Sequence, residues 1–141
     1  MIEKYFSNSI KNAGMEQRTI YSAPYDIHNA FVTGLFISNT SDRNTWMEVY
    51  LYQKKTQTQI TLTSAETPLP AGSTAAIASL GQRIQLTPGD EIYVKMGHDN
   101  VADIMVSVSE IVFSKEELEQ MNYLSEEHEK EEREKEKLGI I

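Results

Sequence analysis

Residues 82–111 restrict the possible folds of this chain more than any other stretch. Leu86-Thr87-Pro88-Gly89-Asp90 predicts a tight turn, because proline presets φ at the second turn position and glycine accepts a positive φ at the third. Beyond it Ile92, Val94 and Met96 fall on one face and Glu91, Tyr93 and Lys95 on the other, the two-residue period of a strand with one buried face. Gly97-His98-Asp99-Asn100 is a second turn cluster, after which Ala102, Ile104, Val106 and Val108 resume the period. The pattern predicts a two-stranded antiparallel unit. Ile111 and Phe113 fall out of phase with that set, so either a β-bulge near Ser109-Glu110 or a strand leaving the core is expected.

The same logic extends backward along the chain. Gln17 to Tyr21 is β-branched enough for a first strand, stopped by Pro24. Residues 29–39 are almost continuously apolar, which suits a central strand buried on both faces, with Gly34 permitting a bend or a close approach. From Trp46 to Gln53 the alternation is clear: Met47, Val49 and Leu51 point one way, and Trp46, Glu48, Tyr50 and Tyr52 the other, with about 7 Å between successive positions of one face. Lys54 to Thr58 then turns the chain toward Ile60 and Leu62 in a hairpin. Residues 64–74, with Pro68, Pro70 and Gly72, are expected to be a crossing loop. Ala75 to Leu80, punctuated by Gly81, and Arg83 to Leu86 are further short strands. Seven or eight short strands with turn signals every 8 to 12 residues predict an all-β protein, an antiparallel β-sandwich of immunoglobulin-like or jelly-roll type.

The two ends read differently from this body. Residues 1–16 match neither a clean helix nor a clean strand and are expected to be an N-terminal arm, leaving 17–113 as the sandwich domain. Ser114-Lys115-Glu116-Glu117 is a capping box opening a C-terminal helix over 114–141. Leu118, Met121 and Leu124 form one short apolar stripe at helical spacing, and beyond Ser125 the segment is almost wholly charged. The net charge of −8 is concentrated there, because residues 115–137 hold 10 Glu against 5 Lys or Arg. The body is therefore nearly neutral and lacks the basic stripe of a nucleic-acid binder, so no nucleic acid is expected as a partner.

Chemistry is sparse. Without cysteine, disulfides, thiolate metal sites and thiol catalysis are excluded, and folding in a reducing cytosol is expected. No run of about 18 apolar residues and no signal-peptide pattern occurs, so neither a membrane span nor export is expected. His28, His98 and His128 stand at no metal-ligand spacing, and no P-loop, Gly-x-Ser-x-Gly or Gly-x-Gly-x-x-Gly is present. Asp99 and Asp103, near Asn100, offer oxygen ligands but lack the density of a dedicated calcium loop. The expectation is a protein that is not an enzyme, with no catalytic residue, no metal and no cofactor. What remains are interface candidates: Trp46, Tyr50 and Tyr52 on one sheet face, and Leu118, Met121 and Leu124 on the helix, since Tyr and Trp offer broad apolar area with a polar tip.

Gly34 to Ser41, Glu48 to Tyr52, Pro68 to Ser73, Gln82 to Val94 and Ile104 to Ile111 come in an order that resembles small virion proteins of tailed bacteriophages. The shared marks are a proline-glycine-serine loop, a leucine-x-x-glycine-aspartate turn and a closing serine-x-x-glutamate-isoleucine strand, over about residues 30 to 112. The resemblance implies a β-sandwich accessory subunit present in many copies at the head-to-tail neck or collar, or decorating the capsid surface. It also implies synthesis in the host cytoplasm, homo-oligomerisation, and as partners its own copies with portal, adaptor, tail or major capsid proteins. The alternative is a carbohydrate- or receptor-binding module of the virion, using the same aromatic face.

Overall fold

The computed structural model describes residues 2–79 and 81–121. The strands among them are β1 (Ile2–Ala13), β2 (Arg18–Ser22), β3 (Ile27–Asn39), β4 (Thr45–Gln53), β5 (Thr58–Thr61), β6 (Thr67–Leu69), β7 (Thr74–Ala78), β8 (Ile84–Leu86), β9 (Glu91–Met96) and β10 (Ala102–Val112). They form two sheets. The first has the order β1-β10-β3-β7, with β8 also paired to β3, and the second the order β2-β9-β4-β5, with β6 also paired to β4. Glu3–Val112 forms one compact unit, while Ile2 and residues 113–121 belong to a second.

This order selects the jelly roll. β7 and β8 share one edge of β3, and β5 and β6 share one edge of β4, so eight strand positions remain, each paired antiparallel with its mirror in the sequence: β2 with β9, β3 with β7 and β8, β4 with β5 and β6. In an immunoglobulin-like sandwich the first two strands are neighbours in one sheet, whereas here β1 and β2 lie in different sheets.

Alternation names the buried residues correctly. Val32, Leu35 and Ile37 of β3 and Ala102, Ile104, Val106 and Val108 of β10 are buried in the first sheet, and Met47, Val49 and Leu51 of β4 and Ile92, Val94 and Met96 of β9 in the second. The Pro88-Gly89 turn forms as expected, with Gly89 at φ 86° and the Asp90 N–H donating to the Thr87 carbonyl at 3.1 Å.

Several expectations are corrected. β9 and β10 are not a paired unit, because they lie in different sheets; both bury one face against the same core, and a two-residue period records which face is buried without recording the neighbour. Residues 2–13, expected to be neither a clean helix nor a clean strand, form an edge strand of the first sheet; exposed over most of its length, β1 shows little alternation. β3 is buried on one face only, with Phe31 and Thr33 half-buried and Phe36 exposed. The supposed loop 64–74 contains β6, whose Pro68 is tolerated at a sheet edge. Finally, the ladder between β10 and β3 has two irregularities, one on each side of Ser109-Glu110, and the extra residues lie in β3 rather than β10. Ser107 pairs with Gly34 but Val108 with Val32, and Ile111 pairs with Asn29 but Val112 with Ile27, so Thr33 and His28 are the extra residues. β10 keeps its phase through Glu110 to Val112, which packs on the core.

In the second unit, Ser114 and Glu117 exchange the two bonds of a capping box, Ser114 N–H to Glu117 Oε1 at 3.3 Å and Glu117 N–H to Ser114 Oγ at 3.2 Å. The helix follows over residues 115–121. The expected continuation through 141, including Leu124, lies outside the described residues.

Candidate interaction surface

β4 places Glu48, Tyr50 and Tyr52 on the outer face of the second sheet because Met47, Val49 and Leu51 hold the inner one. Register with β9 sets Glu48 beside Lys95, Tyr50 beside Tyr93 and Tyr52 beside Glu91. β2 extends the rows, with Thr19 beside Tyr93 and Ser22 beside Glu91. The outer face is thus a half-buried patch of three tyrosines interleaved with two glutamates and a lysine.

The two glutamates of the patch and two of its three tyrosine hydroxyls are engaged locally. Tyr50 donates its hydroxyl to Glu48 Oε2, and Glu48 Oε1 accepts the Glu66 N–H at 3.2 Å. Tyr93 donates to Glu91 Oε2, and Glu91 Oε1 accepts from Ser22 Oγ at 2.9 Å. The hydrogen bond to Glu91 is the main reason the Tyr93 hydroxyl is pushed up to about 12, with burial and the nearby Glu91 and Tyr52 adding to it. The bond to Glu48 raises the Tyr50 hydroxyl above its ordinary value in the same way.

Trp46 has a different role from the tyrosines. Its indole lies against Gly97, where an added Cβ would stand 2.5 Å from Nε1 and 2.7 Å from Cδ1, and the Gly97 N–H donates to the Trp46 carbonyl at 2.9 Å. Trp46 is therefore first a packing residue of its own chain. Tyr93 was missed by sequence reasoning as part of the patch. Its place on the polar face of β9 was visible, but its position beside Tyr50 depends on register. On the helix, Leu118 and Met121 are exposed, at 43% and 47%.

The carboxylates near the turn 97–100 serve the backbone. Asp99 Oδ1 accepts the Met15 N–H and Asp103 Oδ1 the Asn12 N–H, both at 3.0 Å. Among the described residues no group of three or more His, Cys, Asp or Glu is placed to hold a metal ion. At the far end of the sandwich Tyr21 donates its hydroxyl to Glu110, and burial first, then that bond, raises the phenol above its ordinary value.

No family model and no curated protein matches the chain. Among solved structures the chain is similar to the Drosophila NLP core, described for its pentamer formation and histone binding, with a TM-score of 0.50 and 13% identity over 80% of this chain and 100% of that one. It is also similar to a chain of the T13 particle of infectious bursal disease virus, with a TM-score of 0.48 and 12% identity over 78% of this chain and 31% of that one. A third is a chain of the Bacillus endospore appendages, which are disulfide-linked pili, with a TM-score of 0.48 and 10% identity over 79% of this chain and 88% of that one. The chain thus spans about a third of the viral protein and most of the other two. At these identities the likeness is one of fold, an antiparallel β-sandwich.

Proposed function

We propose that this protein is a non-enzymatic structural subunit of a bacteriophage virion, made in the host cytoplasm and present in many copies at the head-to-tail neck or on the capsid surface. It acts through contacts with its own copies and with other virion proteins. Those contacts are made by the Tyr50, Tyr52 and Tyr93 patch bordered by Trp46, and by Leu118, Met121 and Leu124 of the C-terminal segment.

The observation that carries this reading is that both carboxylates on the outer face of the second sheet are already engaged there. Both oxygens of Glu48 are taken, one by the Tyr50 hydroxyl and one by the Glu66 N–H. The hydroxyl of Tyr93 is likewise bound to Glu91. Ring faces remain to be covered, while the carboxylates that would accept from a sugar hydroxyl, Glu48 and Glu91, already hold partners on both oxygens. A face of this kind suits protein docking better than glycan recognition, which calls for free, convergent polar groups.

Light scattering at several concentrations tests the reading on three proteins: the full chain, Tyr50→Ala/Tyr52→Ala, and residues 1–113. The full chain is expected to form a discrete oligomer, with both altered proteins folded but shifted toward monomer. Retention of the oligomer by both, with loss of glycan retention in the double variant, would instead establish the carbohydrate-binding alternative. A shortened protein that no longer folds would show that the helix belongs to the sandwich core.

A further inference from the structure

Sheet edges expose unpaired backbone groups, and most edges of this sandwich are blunted. β5 has 4 residues, β6 has 3 with Pro68 among them, β8 has 3 and β7 has 5. β2 also has only 5, and its pairing slips between Thr19 and Tyr21. β1 differs. It runs for 12 residues without proline or glycine and, among the described residues, stands last in its sheet with β10 as its one neighbour.

The faces of β1 are defined. Phe6 packs on the Tyr21 ring at 5.7 Å, Asn8 Nδ2 donates to the Ile20 carbonyl at 3.3 Å, and Ile10 is buried, so even-numbered residues face inward. Odd-numbered residues from Glu3 to Lys11 face outward, with Tyr5 82% exposed, and the phase changes only at the end of the strand, where Asn12 has φ 58° and Ala13 is buried.

We propose that β1 is a self-pairing edge, joining the first sheets of two copies antiparallel about a local two-fold axis through Ser7. Antiparallel pairing of identical strands requires that axis to stand perpendicular to the sheet, so opposite residues must point to the same side. Only registers that pair odd with odd and even with even are then allowed. Among those that overlap most of β1, one sets Glu3 opposite Lys11 of the second copy, and by symmetry does so twice. The same register places Tyr5 opposite Ser9, Ser7 opposite its own copy, Phe6 opposite Asn8 and Lys4 opposite Ile10. No like charges face each other. The registers shifted by one residue per copy in either direction lose both charge pairs. Opposite charges across an antiparallel pair stabilise it and like charges oppose it, so the strand is complementary to itself in that one register. The inference rests on the structural-subunit reading only in taking a second copy as occupant, and it adds a surface distinct from the tyrosine patch.

Cysteine scanning tests it, since the chain has no cysteine of its own. In the paired state the two Ser7 Cα atoms lie about 4.5 to 5.5 Å apart, within disulfide range. The two Ser9 Cα atoms lie about 14 Å apart. Under mild oxidation Ser7→Cys is expected to give a covalent dimer at least tenfold faster than Ser9→Cys. Sedimentation should show Lys11→Glu weakening association about tenfold, with Glu3→Lys/Lys11→Glu restoring it. Equal cross-linking at both positions, or association indifferent to the charge exchange, would overturn the proposal. If the full chain still assembles through Tyr50 and Tyr52 in that case, the structural-subunit reading survives without it, and a protein that is monomeric throughout removes both.

Discussion

Gly97 and Trp46 show how much one absent methyl group decides. With Nε1 only 2.5 Å from where a Cβ would be, alanine at 97 forces the indole off its seat. Gly97→Ala is expected to cost about 1–3 kcal/mol, the usual penalty of overpacking. Trp46 is the single tryptophan, so its fluorescence reports the displacement directly in the same urea titration. Gly81→Ala, where an added Cβ meets nothing within 4 Å, serves as control, and equal stability of the two variants would rule out the contact. Tyr93 supplies a pH-dependent counterpart. Its hydroxyl donates to Glu91 only while protonated, and it holds its proton to about 12 against an ordinary value of 10.0. Between those values the folded state keeps a proton that the unfolded state has released, so the stabilisation is complete below pH 10 and is lost as pH rises through about 12. The gap in urea midpoint between wild type and Tyr93→Phe is therefore expected to narrow above pH 10, and a constant gap from pH 8 to 12 would contradict the assignment.

Between elements, the buried carboxylate of Asp90 is the main fastener. One oxygen accepts the Lys54 N–H at 3.0 Å, and the other accepts the Thr87 N–H at 2.8 Å and the Thr87 hydroxyl at 2.9 Å. It thereby ties the β4–β5 turn to the β8–β9 turn. Asp90→Ala strands these donors and is expected to destabilise by about 3 kcal/mol, measured by urea unfolding; a loss below about 1 kcal/mol would mean that water replaces the carboxylate without penalty. The sequence marked Pro88-Gly89-Asp90 as a turn but gave no sign that Asp90 reaches Lys54, since that contact spans strands whose neighbours alternation does not name. The same limit applied to β9 and β10: their inner residues were legible from Ile92 to Val108, but not their separation into two sheets. β1 escaped notice for a different reason. An edge strand exposed on most of its residues carries little of the pattern by which strands are recognised.

At the scale of the molecule, the fold class was legible and the choice between two sandwiches was not, because jelly-roll and immunoglobulin-like arrangements bury the same kind of alternating residue. The tyrosine patch was half legible: Tyr50 and Tyr52 followed from β4 alone, while Tyr93 and the closed Glu48 and Glu91 contacts required register. The mirror order of the strands bears on how the chain is made. Of the described strands β1 leaves the ribosome first, and β10, its neighbour in the sheet, leaves more than eighty residues later. β2 likewise waits for β9. Only the innermost pairs, around β4, β5 and β6, can form from contiguous nascent chain. The sandwich therefore closes from the middle outward and is complete only once residue 112 is free, and until then β1 waits without the strand that lies beside it in the folded sheet.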